Sequence, residues 1–388
     1  MFELLFLLLP LAVMYGWYVG ARHERRGFER QESSRAQKIV SGVRFLLANK
    51  KLKATEVLAD LLHVDSENFD ANLALAEVYR ARGDVEKAIG IHRHLLGSSL
   101  PRIKLELAGY ELAKDYIAVG MYDDALKLLQ EPRYDDELRI KSLKLMIKTC
   151  QKLGDWDPAL EIIRRNGPDL TEKYTSSYRA QFICEKAKES MGAGRIPEGE
   201  VYLRQALHAD PRCSRAAIML SELLCSRGDL EEASGIIAMI PDSSPGMAMI
   251  ALPILRRCFR LPAENERYME VLKLWLEKAD SASLILEIAS VLEQYDQQEA
   301  EKYVLQAIRH KPNLRLFERL TVYQLRSARD PSARESLSML LNLVSTEIAM
   351  HKTYVCASCG FASKIMFWNC PSCGEWNSIQ PVRGLDGD

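Results

Sequence analysis

The sequence predicts an all-α chain: a solenoid of helical hairpins, led by one apolar segment and closed by a small four-cysteine module. Three observations predict it. Residues 2–19 are apolar but for a single charge, glycines recur at near-constant spacing through the middle, and four of nine cysteines crowd the end. At 388 residues the chain exceeds one ordinary compact core, so an array or several domains are expected. Composition is 47% hydrophobic and 27% charged, which argues against a disordered chain. The 52 basic and 53 acidic side chains leave a formal net charge of −1, with no general pull toward nucleic acid or anionic membrane.

The first element is a membrane anchor over residues 1–21. Residues 2–19 read FELLFLLLPLAVMYGWYV, with Glu3 as the one charge. A helix from Phe2 to Ala21 would span about 30 Å, the thickness of a bilayer core. Arg22, His23, Arg25 and Arg26 follow, and no basic residue precedes. That order places the N-terminus outside and the later residues in the cytoplasm. A cleaved signal peptide would carry its basic residues before the apolar run, so the segment reads as a retained anchor. Tyr15, Trp17 and Tyr18 stand where an interfacial aromatic belt would lie, and Pro10 is tolerable in a membrane helix. Ala12, Gly16 and Gly20 fall four residues apart, a spacing that lets a second membrane helix approach closely. The plain alternative, that glycine is simply common in membrane helices, has equal weight. Residues 22–36 form a juxtamembrane linker.

Residues 37–348 form the array. Leu75, Ala76, Tyr79, Gly83 and Ala88 recur as Leu112, Ala113, Tyr116, Gly120 and Ala125. Further copies run to Gly154 and Ala159, to Gly194 and Leu203, and to Gly228 and Ala233. The turn glycines lie 37, 34, 40 and 34 residues apart, and Asn49 holds the turn position 34 residues before Gly83. This resembles the tetratricopeptide repeat, whose period is about 34 residues. Small residues sit where paired helices cross, Tyr79 and Tyr116 fill the gap beside them, and glycine supplies the left-handed turn. Pro211 and Pro312 close repeats. After Pro241 the pattern weakens, with 247–279 and 282–312 as helix pairs and 314–347 as a capping pair. That makes about eight to nine repeats, and a fixed period favours an open solenoid over a compact bundle.

Such arrays hold peptides or protein partners, although the fold does not name the partner. Arg164, Arg165, Glu231 and Glu232 read as solvated faces. His92 and His94 are two apart and point to different faces of a helix, while His63, His208 and His310 stand alone. No P-loop, nucleophile elbow or HExxH motif occurs. The chain reads as a binding protein, not an enzyme.

Residues 349–381 carry Cys356-Ala-Ser-Cys359-Gly360 and Cys370-Pro-Ser-Cys373-Gly374. Two residues between thiolates let both sulfurs face one ion, and the glycine after each second cysteine accepts the backbone angle that closes the turn. Four thiolates make a closed tetrahedral site, the pattern of structural zinc. The knuckles resemble the rubredoxin-like fold, and the sulfur set could also hold iron, which would imply electron transfer; the ion is read as zinc because a closed four-thiolate site at the end of a scaffold mostly stabilises a tiny domain. Disulfides conflict with a cytoplasmic placement, which the single thiols Cys150, Cys184, Cys213, Cys225 and Cys258 also suit. His351 is a poorer ligand, since the quartet is complete. Phe361, Phe367, Trp368 and Trp376 are expected to build the small core. Lys352 and Lys364 are the only basic residues between His351 and Gln380, too few for nucleic acid.

Residues 4–10, Tyr15-Gly16-Trp17-Tyr18, residues 356–360 and 368–373, and the 383–387 stretch of the 382–388 tail carry a resemblance over the whole chain. They resemble the lipopolysaccharide assembly protein B family of Gram-negative bacteria. The resemblance implies a single-pass inner-membrane protein that helps a membrane-bound ATP-dependent protease degrade the deacetylase committing carbon to lipid A. Lipopolysaccharide synthesis is thereby balanced against phospholipid synthesis. It also implies a second inner-membrane protein that contacts the membrane helix, for which the Ala12, Gly16 and Gly20 face is available. Two other readings stay open, a scaffold for lipopolysaccharide assembly enzymes and an iron-loaded electron carrier on a helical tether. A homo-oligomer is compatible with the sequence.

Overall fold

The computed structural model describes residues 69–130, 135–259 and 264–388. The expected anchor and linker at 1–36, and the array residues 37–68, lie outside the described residues. Among the described residues no helix is long and apolar enough to cross a membrane. The chain divides between Leu153 and Gly154 into two compact units.

The first unit contains α1 (Phe69–Arg82), α2 (Val85–Leu96), α3 (Arg102–Ala118), α4 (Tyr122–Gln130) and α5 (Asp136–Leu153). Helices α1 and α2 pair, as do α3 and α4. Ala76, Ala88, Ala113 and Ala125 are fully buried at these crossings, and Tyr79 and Tyr116 are buried with them. Gly83 and Gly120 turn the chain at φ of +90° and +81°, which a side chain would resist. The chemistry of the repeat motif therefore lies in a tight crossing and a left-handed turn.

A buried polar network ties α1, α2 and α3. Arg80 donates from Nη1 to Asp115 Oδ1 and from Nη2 to Glu111 Oε2, each at 2.7 Å. His92 Nδ1 lies 2.5 Å from Asp115 Oδ2, with both side chains fully buried. Burial pushes Glu111 up, but Lys114 and Arg80 outweigh it and hold the carboxyl below its usual range. Charges this deep are tolerable only when paired, so the network fixes the stacking of three helices.

The second unit begins with α6 (Trp156–Arg165) and a π-helical stretch (Lys173–Tyr178) that runs into α7 (Arg179–Gly192). Then come α8 (Ile196–Ala209), α9 (Ser214–Arg227), α10 (Leu230–Ala238), α11 (Ile240–Ser243), α12 (Ala248–Cys258) and α13 (Asn265–Ala279). Helices α14 (Ala282–Glu293), α15 (Gln297–His310), α16 (Leu314–Ser327) and α17 (Pro331–Met350) follow. Leu203, Leu220, Leu224, Leu255, Leu272 and Trp275 are fully buried in its main core. The chain ends in a three-stranded antiparallel sheet of order β2-β1-β3, with β1 (Tyr354–Cys356), β2 (Ala362–Ser363) and β3 (Ile379–Pro381).

Gly154, Gly194 and Gly228 repeat the left-handed turn at φ of +78°, +79° and +99°. After Gly228 no left-handed turn glycine recurs in the array among the described residues, and Asp280, at φ +45°, ends α13 between one helix pair and the next. From there the helices begin on side-chain caps. Ser281, Asp296, Asn313 and Asp330 each accept a backbone N–H of the helix they precede. The hairpins thus persist where the repeat motif fades, because the helix starts are held by hydrogen bonds.

Gly199 stands five residues after Gly194, as Ala88 and Ala125 stand after their own turn glycines. A Cβ there would lie 2.4 Å from Met191 Cγ and 3.2 Å from the Ala187 carbonyl oxygen. The α7–α8 crossing is therefore too close even for alanine without displacing Met191. Gly199→Leu is expected to destabilise the second unit by about 1–3 kcal/mol through overpacking. Circular-dichroism melts check this, with Gly235→Ala as a control, because a Cβ at Gly235 meets nothing within 4 Å.

Candidate metal centre

The two knuckles close in the same way. Gly360 N–H donates to the Cys356 carbonyl at 2.9 Å, and Gly374 N–H donates to the Cys370 carbonyl at 2.8 Å. Cys356 N–H reaches the Phe361 carbonyl at 2.8 Å, and Cys370 N–H reaches that of Glu375 at 3.0 Å. Gly360 and Gly374 sit at φ of +75° and +70°, the angle expected of a glycine after the second cysteine. Each turn brings its two thiols round to the same side.

The four sulfurs meet. Cys356 and Cys373 Sγ are 3.8 Å apart, Cys359 and Cys370 Sγ are 3.7 Å apart, and all four lie within 4.8 Å of one another. Ligands about 2.3 Å from a central ion at tetrahedral corners are about 3.8 Å apart, whereas disulfide sulfurs are about 2 Å apart. The spacing fits one metal ion and excludes disulfides.

The electrostatics agree. Burial pushes the Cys356 thiol up, but the Ser378 hydroxyl and the amides of Cys359 and Ser358 outweigh it and bring it down to about 6. At Cys373 the Glu375 amide pulls down, yet burial and the three neighbouring thiols push it up to about 12. Four thiolates this close repel one another, so all can ionise only around a cation.

The knuckle core differs from expectation. Cys356, Cys370 and Ile379 form it, with Tyr354, Phe361, Met366 and Phe367 packed against them. Phe361 and Phe367 meet edge to face at 6.3 Å. Trp368 and Trp376 instead turn toward the array. Trp368 packs on the helical core, and Trp376 lies edge-on to Phe182 at 6.1 Å and to Trp156 at 6.5 Å. The reason is area: three short strands cannot cover an indole, whereas α6 and α7 offer an aromatic wall. The buried Arg215 guanidinium sits 5.6 Å from the Trp376 ring and pairs with Glu185 at 2.9 Å.

Polar contacts complete the seat. Gln181 Nε2 donates to Asn377 Oδ1 at 2.9 Å, Asn377 Nδ2 donates to Ser177 Oγ at 3.1 Å, and Lys173 pairs with Glu375. Burial pushes the Tyr178 hydroxyl up, and the nearby Glu375 carboxylate pushes it further. The tail then crosses to the later helices. Asp388 accepts from Ser281 Oγ at 2.5 Å and from Ser283 N–H at 2.8 Å, at the start of α14. Asn313 Nδ2 donates to the carbonyls of Gly384 and Gly387, while its Oδ1 caps α16. A Cβ on Gly387 would lie 2.0 Å from the Val382 carbonyl oxygen, so the tail folds back too tightly for any other residue.

A family model described as a rubredoxin metal binding domain matches residues 354–381, and tetratricopeptide repeat models match 72–102 and 190–251. The chain is 31% identical to Lipopolysaccharide assembly protein B of Escherichia coli (strain K12), with 100% of both chains covered. It is 30% identical to the protein of the same name from Haemophilus influenzae, again with 100% of both covered. The chain belongs to the lipopolysaccharide assembly protein B family. Among solved structures, MamA is 16% identical over 46% of this chain and 92% of that one, at a TM-score of 0.32.

In this member of the lipopolysaccharide assembly protein B family, Cys356, Cys359, Cys370 and Cys373 converge on one point. Ala12, Gly16 and Gly20 lie outside the described residues. Sequence reasoning missed the seat at Trp156, Gln181 and Trp376 and the tail contact of Asp388. One signal was present: the interval from Gly154 to Gly194 is the longest of the four, and its extra residues form the π-helical stretch that bears Lys173 and Ser177. Trp376→Ala is expected to destabilise the second unit by about 3–5 kcal/mol, read by denaturant titration. Asp388→Ala should cost about 1 kcal/mol, as the loss of a helix cap does.

Proposed function

We propose that the chain is a single-pass adaptor of the bacterial inner membrane, with its N-terminus in the periplasm and its array and knuckle in the cytoplasm. It presents the lipid A pathway deacetylase to a membrane-bound ATP-dependent protease and thereby restrains lipopolysaccharide synthesis. The observation that carries this is full-length identity to proteins named Lipopolysaccharide assembly protein B, on a chain whose repeats and knuckle pack together. The action is binding rather than catalysis. In the second unit a cavity of about 620 Å³, lined by Leu252, Arg256, Tyr268, Glu287, Arg315 and Arg319, offers a client side chains of both characters. The anchor holds the adaptor beside the protease, and the Ala12, Gly16 and Gly20 face meets another inner-membrane protein.

The ion at the four cysteines is zinc. A closed thiolate set on so small a sheet serves folding, and zinc supplies charge neutralisation without redox chemistry. Cys356, Cys359, Cys370 and Cys373 hold it, and the Ser378 hydroxyl lies 3.3 Å from the Cys356 sulfur. The protein as isolated should be colourless, with about one zinc per chain by elemental analysis. A red, iron-loaded protein that bleaches on reduction would support the electron carrier instead.

Photo-cross-linkers at Ser290 and Gln294, which line the cavity, should capture the deacetylase, with the protease in the same complex. Recovery of biosynthetic enzymes alone would favour a scaffold, the reading to which the name of the relatives also lends itself. In cells, Cys356→Ser with Cys359→Ser should lengthen the deacetylase half-life. An unchanged half-life would break the link between knuckle and function.

A further inference from the structure

We propose that a cleft between the first turn of α9, the Ser243–Ser244 segment and the knuckle binds a small phosphorylated ligand. Its volume is about 490 Å³, within the range of about 300–1,000 Å³ typical of small-molecule sites. Arg212, Ser214, Ser244, Lys278, Trp368 and Arg383 line it, and no acidic residue does. This site is separate from the client cavity and from the four cysteines, so it stands or falls independently of the adaptor reading.

Three features point to a phosphate. The first is Ser214, which is 8% exposed and whose hydroxyl has no hydrogen-bond partner. A hydroxyl buried in this way is costly, and a ligand oxygen at the cleft would satisfy it. The second is the end of α9. This helix of fourteen residues starts at Ser214, which lines the cleft, so the positive end of its dipole adds to the basic side chains there. The third is charge. Among the described residues the guanidinium groups of Arg212 and Arg383 have no ion-pair partner, while Lys278 is paired with Asp242 at 2.5 Å. Two free forks and a helix start match a tetrahedral anion with several acceptor oxygens better than a carboxylate. Three basic residues are too few for a nucleic-acid face. Trp368 also lines the cleft, and its indole offers an apolar surface to the organic part of such a ligand.

The test is calorimetric titration of the metal-loaded, full-length chain with inorganic phosphate and with ADP, at matched ionic strength. Saturable binding is expected, weakened about tenfold or more by Arg212→Glu and by Arg383→Glu. Ser214→Ala should weaken it several-fold without lowering the melting temperature of the unliganded protein, because it removes an unpaired hydroxyl. Tighter binding of ADP assigns the site to an organic phosphate, and equal or tighter binding of inorganic phosphate assigns it to the free anion. No saturable binding of either at millimolar concentration overturns the proposal. So does an equal loss in Arg334→Glu, a change on α17 outside the cleft.

Discussion

Four thiols drawn to within 4.8 Å of one another repel as soon as they ionise, a constraint that a cation held among them would relieve. The sheet β2-β1-β3 is too short to bury much apolar surface by itself, so an ion held by the four cysteines would secure its order. On the sheet rests the placement of Trp376 and Asn377, which seat the knuckle against α6 and α7. From the seat the tail runs to α14 and α16, where Asp388 and the Gly384 and Gly387 carbonyls engage the helix starts. The knuckle thereby leads, through a chain of contacts, to helix starts that lie 71–107 residues before the tail residues that engage them.

The array solves a recurring problem in more than one way. Early repeats rely on alanine at the crossings and glycine at the turns, and later ones on side-chain caps. Charged bridges between neighbouring repeats recur throughout. Arg80 reaches Asp115, Arg215 reaches Glu185, Arg256 reaches Glu287 and Arg326 reaches Glu293, each about one repeat away. Pairs like these add little net stability when buried, because desolvation offsets their attraction. Their effect is on register: a helix shifted by one turn would strand a carboxylate in a nonpolar wall. Divergent repeats can therefore stack in one way only.

What was legible in the sequence was what the backbone itself demands. A left-handed turn needs glycine, so Gly83, Gly120, Gly154, Gly194 and Gly228 announced the hairpins, and Gly360 and Gly374 announced the knuckles. Ligands for one ion need fixed spacing, so the four cysteines announced their own convergence. The apolar cores of the early repeats followed from the same periodicity.

Other features had no local signature. His92 looked like any helical histidine until Asp115 on another helix met it, and Gly199 looked like a weak helix residue until Met191 was packed against it. Trp368 and Trp376 looked like the core of the module that carries them. They became its outer face because an indole goes wherever the largest apolar partner is, and that partner belonged to α6 and α7. The sequence by itself determined turns, periodicity and the metal ligands, since each is set by neighbours along the chain. The tertiary structure decided how the knuckle is seated, because burial depends on surfaces that meet only after folding.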